Sequence, residues 1–224
     1  GADFSRRHGH PEGRRRQYQL KVEAVEVQTT PFRKVSASTA EEICSRAKLS
    51  TEAMALLTPA LSPQGFLALL VKGRHFTDAV RFLAFSLPPR EGVWWACVAA
   101  RGIERLAEPD AACLERAVAW AYEPNEAKRR ACMEAAERLN FEGAAAYAAL
   151  SVFWSGGSMA PEGMPDAPPD PSLYAIGVGA SVLLAIAAEP QSAERRFEEA
   201  IERGIDIANG GNGKLKAELH REAS

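Results

Sequence analysis

The segment FTDAVRFLAFSLPPREGVWWAC, residues 76–97, decides the fold class. Phe76, Ala79, Val80, Leu83, Ala84 and Leu87 recur at spacings of three and four, which sets all six side chains on one face of an α-helix. Pro89 then closes that helix and opens the next, because proline lacks an amide donor yet fits a first helical turn. The pattern returns downstream. Pro89-Arg90-Glu91-Gly92 leading to Ala96-Cys97 is matched by Pro124-Asn125-Glu126-Ala127 leading to Ala131-Cys132, an offset of 35 residues. That is close to the period of tetratricopeptide helix pairs, about 34 residues. Two antiparallel helical hairpins packed side by side satisfy it. There is no third copy, so a compact bundle of stacked hairpins, tetratricopeptide-like in part, and a repeat array both remain open.

Outward from this segment, nearly everything from Ser38 onward reads as helix. Ser38-Thr39-Ala40-Glu41 has capping-box spacing, and Ser62-Pro63 sets an N-cap before a proline already at helical φ, followed by a stripe of Phe66, Leu69 and Leu70. Residues 141–154 are apolar on nearly every side and predict a central helix. Phe197, Ala200, Ile201, Gly204, Ile205 and Ala208 form a second amphipathic stripe, with Glu199 and Arg203 as an i,i+4 pair on its solvated face. Residues 155–171 are the main interruption, rich in glycine and proline and long enough for a connector or a functional loop. Before the helices, Tyr18, Leu20 and Val22 alternate with polar residues in strand fashion. The expected class is all-α with an extended N-terminal arm: a basic arm over 1–35, one helical domain over 36–210 and a flexible tail over 211–224.

Composition narrows the function classes. The 224-residue chain is 46% hydrophobic and 25% charged, enough for a sizeable core, and its net charge is -2. Residues 1–34 carry eight Lys/Arg against four Asp/Glu, so the basic excess belongs to the arm and nucleic-acid binding is not expected of the domain. Cys44, Cys97, Cys113 and Cys132 show no metal-ligand spacing, which predicts reduced core thiols, a cytoplasmic setting and no metal. The uncharged run 173–188 is too short to span a bilayer and predicts a buried helix whose Gly177 and Gly179 allow close helix contact.

No catalytic constellation stands out. Gly177-Val178-Gly179 lacks a preceding strand, and residues 210–214, Gly-Gly-Asn-Gly-Lys, lack the outer residues of a phosphate loop and predict a helix C-cap. Ser155 has no identifiable histidine partner, and His75 predicts a capping or surface role. No cofactor is expected. The more informative feature is Trp94-Trp95. Adjacent helix positions diverge by about 100°, so one ring is expected to bury and the other to line a groove, with Trp120, Tyr122 and Trp154 as further aromatic wall. The expected protein-binding residues are Trp94, Trp95, Trp154, Ser155, Gly156 and Gly157.

Residues 82–97, ending Trp-Trp-Ala-Cys, and residues 154–161, containing Ser-Gly-Gly-Ser-Met-Ala-Pro, together resemble a bacterial domain family of unknown function, from about residue 40 to Gly210. The resemblance implies a neighbourhood of type VI secretion components and transfers no catalytic residue. The expectation is a non-catalytic adaptor, chaperone or accessory scaffold whose partner is another protein, such as a secretion-system component. The alternatives are a small-molecule-binding protein or enzyme with its site under the 155–171 loop, and a structural homo-oligomer.

Overall fold

The structure, a computed structural model, describes residues 31–215. Most of the basic arm, with the alternation of Tyr18, Leu20 and Val22, lies outside the described residues. Ten α-helices and one 3-10 turn make up the described chain, with no strand among the described residues. They are α1 (Ala40–Ala47), α2 (Thr51–Met54), α3 (Pro63–Lys72), α4 (Phe76–Ser86), α5 (Pro89–Arg101), α6 (Glu108–Tyr122), α7 (Glu126–Arg138), α8 (Gly143–Phe153), α9 (Leu173–Ala187) and α10 (Ala193–Ala208).

Local chemistry sets most of the starts. Ser62 caps α3, its Oγ accepting from the Gly65 N–H at 3.1 Å, and Pro63 occupies the first turn as expected. Pro89 opens α5 in the same manner. The capping box of α1 lies one residue later than the sequence spacing suggested. Thr39 is the N-cap, and Glu42 rather than Glu41 reaches back, accepting from the Thr39 N–H at 3.2 Å and the Ser38 hydroxyl at 2.7 Å. These hydrogen bonds hold the Glu42 carboxyl below its ordinary pKa.

The two hairpins α5–α6 and α7–α8 close on one another instead of stacking openly. Packing runs α5 to α6, α6 to α7, α7 to α8 and α8 back to α5, with α8 also crossing α6. The four helices thus form one packed layer in which α8 touches the other three. A helix touched by four others has no polar face to spare, which is why α8 reads Ala-Ala-Ala-Tyr-Ala-Ala-Leu and stays buried along most of its length. A second layer covers the bundle: α9 packs on α8, α5 and α4, α10 packs on α4 and α5, and α1 and α3 pack on α4.

The glycines of α9 make the layers meet. A side chain at Gly177 would lie 3.2 Å from the Ser151 Cα of α8, and one at Gly92 in α5 would meet Val178 at 3.3 Å. The six apolar residues singled out on α4 face this junction, five of them buried and Phe76 partly so. On α3 the stripe is Phe66, Leu67 and Leu70; Leu69 points outward at 36% exposure. On α10, Glu199 pairs with Arg195 one turn earlier at 2.6 Å, and Arg203 donates to the Gly213 carbonyl, in place of the expected Glu199–Arg203 pair.

Both ends of the described chain lie together. Phe32 is buried, the Lys34 N–H donates to the Ala208 carbonyl at 2.9 Å, and Gly210 ends α10 with φ of +91°. Gly210 and Gly211 donate back to Ile207 and Asp206, a Schellman closure that satisfies the last carbonyls. Lys34 and Gly213 are thus both tied to the end of α10.

Candidate functional site

The tryptophan pair divides as helix geometry requires. Trp95 is wholly buried, and its indole N–H donates to the Ala200 carbonyl of α10 at 2.8 Å. It ties α10 to α5, so Trp95 is the enclosed member of the pair in this structure. Trp120 is buried as well. Trp94, one residue away and about 100° around the helix, reaches the surface. Its indole N–H donates to the Asn212 carbonyl at 2.9 Å, and its ring meets Tyr122 edge-on with centroids 5.4 Å apart.

Tyr122, the last residue of α6, is 69% exposed, the most open of the large hydrophobic side chains among the described residues. Trp94, Tyr122 and Ala121 form one wall of a surface groove of about 270 Å³; Ile207 and residues 210–212 form the other. Three charged side chains border it. Lys34 pairs with Glu91 at 3.2 Å. The Arg90 Nε donates to the Ala121 carbonyl at 2.7 Å, capping the C-terminal end of α6 and fixing the plane of the guanidinium. Sequence reasoning expected one of the two tryptophans to line such a groove, with Tyr122 as further wall, without saying which. It missed Arg90, Lys34 and Asn212, the last two because they stand in the segments read as arm and tail.

The other expected residues gather elsewhere, at the start of the 155–171 loop. Trp154 follows the last turn of α8 and is half-buried, and the Ser155 Oγ donates to the Val152 carbonyl of its own helix at 2.7 Å. Gly156 is half-buried with open space around it. Gly157 adopts φ of +65° with its Cα against the Arg129 guanidinium. Arg129 organises this region and had no sequence signal, since it sits in a helix that reads as charged and solvated. It is 4% exposed, stacks over the Phe153 ring, forms a two-pronged pair with Glu126, and donates to the Phe153 and Ser158 carbonyls.

Beyond this clamp the loop closes on itself. The Ser158 Oγ accepts from the Ala160 and Ala167 N–H groups, and the Met159 N–H donates to the Ala167 carbonyl at 2.8 Å. Residues 161–168 project into solvent, with Met164 62% exposed.

His75 stands at the N-cap of α4 without a side-chain bond to that helix, and no hydrogen bond joins it to Ser155. A second cleft of about 200 Å³ lies between α5, α9 and α10, rimmed by Arg196, which is engaged by Glu189 and the Gly102 carbonyl. The four cysteines are buried and unpaired, and no group of three or more His, Cys, Asp or Glu among the described residues forms a metal-ligand cluster. Burial pushes the thiols up, Cys44 and Cys113 to about 11 and Cys132 to about 12, with Cys97 raised as well. Among the described residues, no single helix is long and apolar enough to cross a membrane.

No curated protein and no solved structure matches the chain. A family model does match, over residues 66–208, which is most of the span from α3 to the end of α10 and includes Arg90, Trp94, Tyr122 and Arg129. The chain thus belongs to the family of unknown function DUF6931.

Proposed function

We propose that this domain is a non-catalytic protein-binding module whose docking site is the Trp94–Tyr122 groove. One observation carries the reading: a largely exposed tyrosine stands against a tryptophan that is itself locked by a hydrogen bond, beside an arginine held in a fixed plane. Tryptophan, tyrosine and arginine are the residues that dominate binding energy at protein interfaces, because they bring large contact area with few rotors to freeze. The groove is already formed in the free protein, so a segment entering it need not order the wall. Its volume is below the roughly 300–1,000 Å³ of sites that enclose a drug-sized molecule and suits a few side chains of a linear segment. The resemblance to proteins near secretion genes makes a type VI secretion component the first partner to examine.

The test is a photo-crosslinking residue placed at Tyr122 and, as control, at Glu162 on the projecting loop, with irradiation in an extract of the source cells. A discrete adduct at Tyr122 that is absent at Glu162 is expected. Equal, diffuse labelling at both positions would remove the groove from consideration. Tyr122→Ala supplies the companion measurement. With most of its ring in water it should leave the unfolding free energy within about 0.5 kcal/mol of wild type while abolishing the adducted partner's binding.

A further inference from the structure

Resting on the reading of the groove as a docking site, we infer that its occupant is an acidic linear segment, one carboxylate side chain flanking an apolar anchor. The charge balance of the rim carries this. Among the described residues, the carboxylate bordering the groove is Glu91, and Lys34 already engages it at 3.2 Å. Arg90 has no carboxylate partner among the described residues; its bond runs from Nε to the Ala121 carbonyl. An arginine tied through Nε keeps both terminal nitrogens available, and a guanidinium held in one plane presents two parallel donors matched to the two oxygens of a carboxylate.

The apolar half of the occupant follows from the neighbouring wall. Tyr122 and Trp94 meet edge-to-face, so the exposed Tyr122 ring face is open to an aliphatic or aromatic side chain, and Ala121 and Ile207 give that side chain an uncharged floor. On the opposite rim the Asn212 carbonyl is occupied by Trp94. An arginine without a carboxylate partner beside an exposed aromatic ring favours a negatively charged, partly apolar peptide. It disfavours a basic one, which would bring like charge against Arg90 and Lys34.

The experiment uses the full chain and a defined array of ten-residue peptides. Each carries Leu, Ile, Phe or Trp at a central position, with Glu, Gln or Lys at the positions on either side. The best binder is then measured by fluorescence anisotropy against wild type, Arg90→Gln and Tyr122→Ala. Binding of Glu-flanked peptides that weakens about tenfold with Arg90→Gln, and by a similar factor when the peptide Glu becomes Gln, is expected. The peptide substitution reads the same contact from the other side and serves if Arg90→Gln, which also uncaps α6, fails to fold. Raising salt from about 0.05 to 0.5 M should weaken the Glu peptides and leave the Gln peptides nearly unchanged. Peptides that depend on Tyr122 but bind equally with Glu, Gln or Lys would overturn the acidic inference and leave the docking site standing. An array with no Tyr122-dependent peptide of any charge would overturn both.

Discussion

Replacing Gly204 by alanine sets two known effects against each other at one position, and the packing of Trp95 decides between them. Gly204 lies within α10, where glycine ordinarily costs about 0.5–1 kcal/mol relative to alanine, so propensity alone predicts a more stable protein. The new methyl would lie 2.9 Å from Cε2 and 3.1 Å from Cζ2 of Trp95, and 3.1 Å from Leu83 Cδ1. The closest of these approaches is about half an ångström inside ordinary van der Waals contact, which begins near 3.4 Å. Neither partner can withdraw. Trp95 is enclosed on all sides and tethered to the Ala200 carbonyl, one turn from Gly204 on the same helix, and Leu83 is fully buried in α4. Overpacking of this kind costs about 1–3 kcal/mol. Subtracting the propensity gain leaves a net loss of about 0–2.5 kcal/mol, centred near 1, which is a fall of roughly 2–4 °C at the centre for a domain of this size. Thermal melts followed by circular dichroism check it, with urea unfolding to confirm an unchanged m-value. Gly179→Ala is the internal comparison. Its methyl would meet Ala84 Cβ at 3.6 Å, an ordinary contact, so that variant should gain about 0.5–1 kcal/mol. A Gly204→Ala protein that melts above wild type would refute the account of Trp95 as a fixed wedge between α5 and α10.

Three further outcomes follow from the same geometry. Arg129→Ala leaves the buried Phe153 carbonyl and the half-buried Ser158 carbonyl without their donor and should cost about 1–3 kcal/mol for the first and less for the second; limited proteolysis should then cut between residues 158 and 168, and a loop as resistant as in wild type would count against the clamp. Ile176→Glu places a charge on the face of α9 that is 48% exposed at that residue, so stability should change by less than about 0.5 kcal/mol, and a large drop would mean this face is covered in solution. The buried thiols give the protein an alkaline sensitivity of definite sign. Unfolded thiols ionise near 8.5–9 and the folded ones not until about 11–12, so between these values the unfolded chain binds fewer protons and stability falls as pH rises; below about 8 the contribution is complete. Urea midpoints at pH 8 and pH 10.5 measure this, and a variant with all four cysteines changed to alanine should lose most of the difference.

The helices were legible wherever one face had to be buried. The Phe76-to-Leu87 spacing, the Ser62-Pro63 start and the small residues of α9 all act as their sequence implies, because periodicity and capping are local properties. What escaped is what depends on chain segments distant in sequence. Two hairpins with a 35-residue offset satisfy both an open stack and a closed ring. Only the return of α8 onto α5 chooses, and it is set by bulk at contacts more than forty residues apart. The 173–188 run was legible as a core helix but not as one with an outward apolar face, since Ile176 and Leu184 carry no sign of which side lacks a neighbour. Of the two tryptophans, spacing showed that they must differ without showing which is buried. That depended on Gly204, more than a hundred residues on, which leaves room for one indole and no other. Arg129 is the clearest omission, for a buried arginine satisfied by backbone carbonyls looks the same in sequence as a solvated one.

The meeting of Lys34 with Ala208 and Gly210 has a consequence for how the domain can be carried. A fold whose entry and exit sit side by side behaves as a cassette: it can be spliced into a surface turn of an unrelated host without stretching either. Here the two seams are also the lip of the groove, through Lys34 on one side and the Asn212 carbonyl beneath Trp94 on the other. Any tag, host or tether joined at either seam stands at the mouth of the groove.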